Sequence, residues 1–263
     1  MGRLKSIEIM AKSLLSSVLL VTVACAAMGE NKELRFKEGK TAMENKQDPR
    51  FAEFPTLHVV DHPLIQHKLT TARNKDTGSR EFRHMLSDIA LIIGCEMTKL
   101  LQTKDISIET PITPMTGKMI DDNGIVIVPI MRAGMGMADG LHKLIPTADF
   151  AHMGLYRDHV TKKPVEYLFK APTIKNQLFI VVDPMMATGN SAVYAVDKLK
   201  QVGVPAKNIL FMALVVAPEG MRVFQKAHPE IPVYAASLDE KLNENAYIVP
   251  GLGDAGDRLY GTE

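Results

Sequence analysis

Three apolar runs constrain this chain more than any other feature. Ile125-Val126-Ile127-Val128-Pro129-Ile130, Leu178-Phe179-Ile180-Val181-Val182 and Ile209 to Val216 show no polar alternation. A strand with one wet face alternates, so unbroken β-branched runs belong to strands covered on both faces. Val233-Tyr234-Ala235-Ala236 is a shorter run of the same kind. Helical patterns supply the covering layers. Phe82, Met85, Leu86, Ile89, Ile92, Ile93, Met97 and Leu100 recur at helical spacing within Phe82 to Leu101, and Ser191 to Val202 and Glu219 to Ala227 follow similar patterns. Strands alternating with helices predict an α/β fold with a mainly parallel sheet flanked by helices. Ligands of such folds bind at the carboxyl ends of the strands, which is where chemistry is to be sought.

Composition narrows the function classes. Of 263 residues, 46% are hydrophobic and 23% charged, which excludes disorder throughout. The 18 Gly and 15 Pro are scattered, which excludes collagen-like and coiled-coil architectures. A net charge of +1 argues against a protein that neutralises nucleic-acid backbones. The two cysteines, Cys25 and Cys95, form no CxxC, and Cys95 in Leu91-Ile92-Ile93-Gly94-Cys95 reads as a small buried core residue. His58, His62 and His67 read as turn and surface histidines, because Pro63 opposes one helix presenting all three.

Residues 1–28 differ in character. Arg3, Lys5 and Lys12 precede an apolar run from Leu14 to Val23 that ends in small residues, the pattern of a secretory signal. The run is short for a membrane span, which needs about 20 residues. Through Arg50 the chain carries a net +3, and the remainder −2. An export signal, a flexible tail, or an upstream start before Met43 each fit. The expected organisation is an N-terminal extension, 1–54, and one domain, 55–263.

One strand end carries the strongest chemical signal. The run ending at Val182 meets Asp183, then Pro184-Met185-Met186-Ala187-Thr188-Gly189-Asn190-Ser191 opens a helix near Ser191. Free N–H groups at a helix start suit a phosphate monoester, Thr188 and Ser191 add hydroxyl donors, and Gly189 permits close backbone approach. Asp183 is better placed for sugar hydroxyls than for the phosphate. A plain βα turn capped by Ser191 explains the same spacing. Arg132 follows the first buried run and Arg157 follows Met153-Gly154-Leu155-Tyr156, positions from which a guanidinium can clamp a diphosphate or simply face water. Gly251-Leu252-Gly253-Asp254-Ala255-Gly256 spells GxGxxG, but Pro250 before it and seven residues after it leave no room for a dinucleotide-binding unit. A glycine-rich loop there could offer backbone groups to a small planar ligand.

These residues resemble the uracil phosphoribosyltransferases, a subfamily of the type I phosphoribosyltransferases. Asp183 to Ser191 resembles the ribose-5-phosphate loop. His62-Pro63-Leu64, Val128 to Gly134, Gly154 to Arg157, Ala217-Pro218-Glu219-Gly220 and Tyr247 to Asp257 match in order across residues 55–263. The generic acidic pair is absent, since Val182 precedes Asp183, as is typical of the uracil subfamily. Asn190 departs from a usual glycine, a side chain that either crowds the phosphate or donates to it.

The resemblance implies conversion of uracil and 5-phosphoribosyl 1-diphosphate to UMP and diphosphate. It implies a small hood over the base and Mg²⁺ carried by the diphosphate rather than bound directly by the protein. It assigns Pro184 to Ser191 to the ribose 5-phosphate end, Asp183 to the ribose hydroxyls, and Arg132 and Arg157 to the diphosphate. It assigns Ile248, Gly253, Asp254 and Ala255 to uracil, largely through backbone groups, with Asp254 also serving the sugar diphosphate. Arg132, Asp183 and Asp254 are then the expected catalytic residues. Tyr156 to Tyr167 is polar enough for a closing flap. The resemblance further implies a homo-oligomer with GTP as activator, and no nucleic-acid or membrane partner. Phosphoribosyl diphosphate is intracellular, which favours a cytoplasmic protein over an exported binding protein. A catalytically silent nucleotide-binding regulator is the alternative; its mark, loss of Arg132, Asp183 or Asp254, is not found.

Overall fold

The computed structural model describes residues 49–120, 124–157 and 164–262, all within one compact unit, residues 42–263. A helical turn, α1 (Pro49–Ala52), leads into β1 (Leu57–Val59) and two helices, α2 (Pro63–Arg73) and α3 (Ser79–Met97). A hairpin follows, β2 (Thr103–Glu109) and β3 (Pro114–Ile120). The alternating part then runs β4 (Ile125–Met131), α4 (Met135–Leu144), β5 (Asp149–Phe150), β6 (His152–Arg157), β7 (Pro164–Lys170), β8 (Leu178–Val182), β9 (Met185–Met186), α5 (Asn190–Gln201), β10 (Ile209–Val216), α6 (Pro218–Ala227) and β11 (Val233–Leu238). The chain closes with β12 (Lys241–Leu242), β13 (Ile248–Val249) and α7 (Ala255–Tyr260).

The main sheet has the order β1-β11-β10-β8-β4-β6-β7, parallel except for the β6–β7 pair. The three apolar runs are its centre, β4, β8 and β10. Their side chains alternate between two cores. Ile125, Ile127, Ile180 and Val182 pack with Leu86, Ile89, Ile93, Met137 and Leu141 of α3 and α4. Val126, Val128, Phe179 and Val181 face the other way, toward Ala195 and Leu199 of α5 and Phe224 of α6. Two apolar faces on one strand are why the sequence shows no alternation. The antiparallel pair β12–β13 forms a small sheet of its own, apart from the main one.

Cys95 corrects an expectation. It is exposed, not buried. Helix α3 buries Ile89, Ala90, Ile93, Gly94 and Met97. Cys95 lies on the opposite side, about 200° from Ile93 at 100° per residue. His62 caps α2, its Nδ1 accepting from the Leu64 N–H at 3.1 Å. His58 stacks on Tyr234 at 4.8 Å. Among the described residues no helix is long and apolar enough to cross a membrane.

Helices α3 and α4 meet at Gly140, where a Cβ would overlap the Ser87 carbonyl. Backbone cannot yield as a side chain tip can. Gly140→Ala is therefore expected to lower stability by about 1–3 kcal/mol, read as a lower urea midpoint at unchanged slope. A parental midpoint would contradict this contact.

Candidate active site

Three segments, two at the carboxyl ends of the central strands β4 and β8 and one near the C-terminus, surround a cavity of about 570 Å³. Met131, Arg132 and Ala133 come from the β4–α4 loop. Asp183, Met185, Ala187 and Ser191 come from the β8–α5 loop. Asn245 to Tyr247, Ile248 of β13, Gly253, Asp254 and Gly256 of α7 come from the C-terminal segment, while Leu155 and Tyr156 of β6 complete the wall. A smaller recess of about 40 Å³ opens off it, lined by Asp183, Met185 to Gly189, Ser191 and Ala192.

The recess is an anion-shaped feature. Gly189 caps α5 with φ +78° and no side-chain cap bond. The first-turn N–H groups of α5 lack intrahelical acceptors by geometry, and the helix dipole adds positive character there. Gly189 is required for two reasons. Its φ is in the left-handed region, and a Cβ there would sit 2.5 Å from the Gly220 carbonyl oxygen. A Cβ on Gly220 would in turn overlap the Ala187 carbonyl. Two backbones thus touch directly, and Gly220 of the Ala217-Pro218-Glu219-Gly220 motif packs behind the loop that forms the recess. Glu219 also accepts from the Leu242 N–H at 3.1 Å, which ties β12 to α6.

Within the loop, residues divide by role. Pro184 is buried and its carbonyl accepts from the Leu214 and Val215 N–H groups at 3.1 and 3.0 Å. Met185 and Met186 pair as β9 with β10, and the Met186 side chain is in the core. Ala187, Thr188 and Ser191 border the recess. Asn190 is exposed as the first residue of α5. Arg157 closes β6, but residues 158–163 of the expected flap lie outside the described residues.

The C-terminal loop holds the residues expected at uracil. Ile248 is in β13 and lines the cavity beside Gly253 and Asp254. Ala255 is fully buried and lies behind the cavity wall formed by Gly253, Asp254 and Gly256. Gly251 and Gly253 have positive φ, and Gly256 lies inside α7. The GxGxxG run is therefore a loop entering a helix, with no strand–turn–helix unit. Asp254 caps α7, its Oδ1 accepting from the Asp257 N–H at 3.0 Å.

Sequence reasoning missed the scaffold of this loop. Arg73 donates to both oxygens of Asp239, at 2.8 and 2.6 Å, and to the Gly251 carbonyl at 2.6 Å. Arg258 donates to the carbonyls of Ala72, Leu252 and Asn74. Asp257, Tyr260 and Thr262 around Arg132 were also missed. The Met131–Arg132 and Val249–Pro250 peptide bonds are cis. Among the described residues no group of three or more His, Cys, Asp or Glu side chains could hold a metal ion.

Electrostatically, Asp183 stands apart. Burial pushes its carboxyl up to about 7, the Met185 N–H opposes this, and the Asp254 charge adds to the rise. The ordinary value is 3.8, so between pH 3.8 and about 7 the folded state holds a proton that the unfolded state lacks. Stability from this group is present below that window and is lost as pH rises through it. Asp183→Asn is neutral at every pH. Its thermal midpoint should exceed the parent's by a few degrees at pH 8 and match it near pH 3.5. Equal midpoints at pH 8 would show that the carboxylate ionises there without penalty.

The comparisons with known proteins agree with this geometry. Residues 59–262 match the family model described as uracil phosphoribosyltransferase. A Ralstonia pickettii protein named uracil phosphoribosyltransferase is 55% identical over 218 residues, 83% of this chain and 99% of that one. One of the same name from Listeria innocua is 53% identical over 208 residues, covering 79% and 99%. The solved structure of the AQ2163 protein from Aquifex aeolicus has a TM-score of 0.75 at 30% identity, over 79% of this chain and 99% of that one. The matched residues include every strand and loop that borders the cavity, and this chain belongs to the uracil phosphoribosyltransferase family.

Proposed function

We propose that this chain transfers the phosphoribosyl group of 5-phospho-α-D-ribose 1-diphosphate to uracil, giving UMP and diphosphate in pyrimidine salvage. The convergence of the three motif loops on one cavity carries this reading. The recess at the start of α5, formed by residues from Asp183 to Ser191, takes the 5-phosphate by backbone N–H groups and hydroxyls. Asp183 accepts from the ribose hydroxyls. Arg132 and Arg157 take the diphosphate, and Ile248, Gly253, Asp254 and Ala255 seat uracil.

The chemistry follows from charge. A ring nitrogen of uracil bonds to C1 as the C1–oxygen bond to diphosphate breaks. The leaving group gains negative charge, so a guanidinium beside it is worth most in the transition state. C1 gains oxocarbenium character, so fixed placement of the base counts heavily. Backbone donors and acceptors of the 248–255 loop have fixed polarity, and a mispaired base leaves buried groups unsatisfied. The hood and Tyr156 limit water at C1.

Mg²⁺, implied by the family, prefers hard oxygen ligands, which the diphosphate supplies and to which the Asp254 carboxylate in this cavity adds one more. The ion would arrive carried by the diphosphate, where it would neutralise part of that charge, with Asp254 serving its shell and Asp183 kept for the ribose hydroxyls. The reading extends to a homo-oligomer and to activation by GTP, which rest on the family resemblance. The intracellular nature of the sugar diphosphate supports a cytoplasmic enzyme with residues 1–54 as an extension of the 55–263 domain.

A turnover assay tests the proposal. With Mg²⁺ and phosphoribosyl diphosphate, uracil alone should give product, whereas cytosine, hypoxanthine and orotate should not. Absence of UMP overturns the reading. Arg132→Ala should lower kcat/KM by about 10²-fold or more; a value within a few-fold of the parent would remove Arg132 from the site.

A further inference from the structure

We infer that Asp257, with Tyr260 and Thr262, positions Arg132, so that α7 links the base-binding loop and the diphosphate clamp in one rigid piece. This rests on the functional reading above and extends it to residues that no motif assigns.

Arg132 stands on a loop with its side chain half exposed. A long free side chain there would sample many rotamers. Instead its two terminal nitrogens are both engaged, one donating to Asp257 Oδ1 at 3.1 Å and the other to Thr262 Oγ1 at 3.2 Å. The two acceptors are bonded to each other, because the Thr262 hydroxyl donates to the same Asp257 oxygen at 2.7 Å. The guanidinium lies over the Tyr260 ring at 5.9 Å, and the Tyr260 hydroxyl donates to the Arg132 carbonyl at 3.2 Å. Backbone and side chain of Arg132 are thus held by one short segment. The same segment begins at Asp254, whose carboxylate receives the Asp257 N–H. A uracil seated on Gly253 to Ala255 therefore fixes the helix that aims Arg132.

The sign of the Asp257 contribution separates positioning from neutralisation. If Asp257 mainly neutralised Arg132, its loss would strengthen diphosphate binding. The pair is solvent-screened, so neutralisation is weak. Orientation outweighs it, since a misplaced clamp loses transition-state contacts. Asp257→Asn should lower kcat/KM for the sugar diphosphate by about tenfold. KM for uracil should stay within about twofold of the parent, as expected for a residue acting through Arg132.

The decisive measurement is a double-mutant cycle in the full chain. In an Arg132→Ala background, Asp257→Asn should change kcat/KM by less than about twofold. Thr262→Val, which removes only an exposed hydroxyl, should show a weaker loss of about threefold with the same dependence on Arg132. Tighter binding of the sugar diphosphate by Asp257→Asn overturns the proposal. So does an undiminished loss in the Arg132→Ala background. A parent chain that forms no UMP defeats the functional reading instead, and calorimetric binding of phosphoribosyl diphosphate to the same variants still decides the positioning.

Discussion

Asp239 sits just past the end of β11 with its side chain 1% exposed, and the C-terminal-loop side of the cavity hangs on it. Burial alone would raise its carboxyl. Arg73, the Ser237 hydroxyl and the Gly251 N–H outweigh that and hold it below the ordinary range. Arg73 also binds the Gly251 carbonyl, so both backbone groups of Gly251 are fixed by one ion pair. Helix α2, the sheet and the C-terminal loop meet at this point. Breaking such a pair from one side strands a buried charge, at a typical cost of about 3–5 kcal/mol. Arg258 reinforces the arrangement, its guanidinium 4.1 Å from the centre of the Phe82 ring while it binds three carbonyls.

Charges here serve two ends. Buried Asp239 and half-buried Arg73 are committed to each other and to backbone, and they fix shape. In the cavity, Arg132 is held by Asp257, Thr262 and Tyr260, whereas Asp183 accepts a long bond of 3.4 Å from the Met185 N–H. Asp183 is held where its carboxylate is disfavoured. A cavity that tolerates this gives up some stability as pH rises.

Much of this was legible in the sequence for a definite reason. Strands β4, β8 and β10 are covered on both faces, so their runs are unbroken and mark the sheet centre. The Asp183 to Ser191 loop has its phosphate-suited pattern in consecutive residues. The hairpin β2–β3 was not legible. It pairs with itself, and its apolar residues are exposed, Ile112 at 94%, so burial imposes no pattern. Cys95 was misread because Leu91 to Cys95 is an apolar run that conceals the helical period. Arg73 and Asp239 are 166 positions apart, and neither carries a local signal of the other.

The backbone contact between Gly189 and Gly220 has a consequence for portability. The nine residues from Asp183 to Ser191 look like a self-contained cassette. Their curvature, however, is moulded by a helix that starts some thirty residues later, pressed against Ala187 and Gly189 without side chains between. Transplanted alone onto another strand–helix junction, the cassette would lose its mould. The unit that can be moved is the pair of loops together with β10, which spaces them.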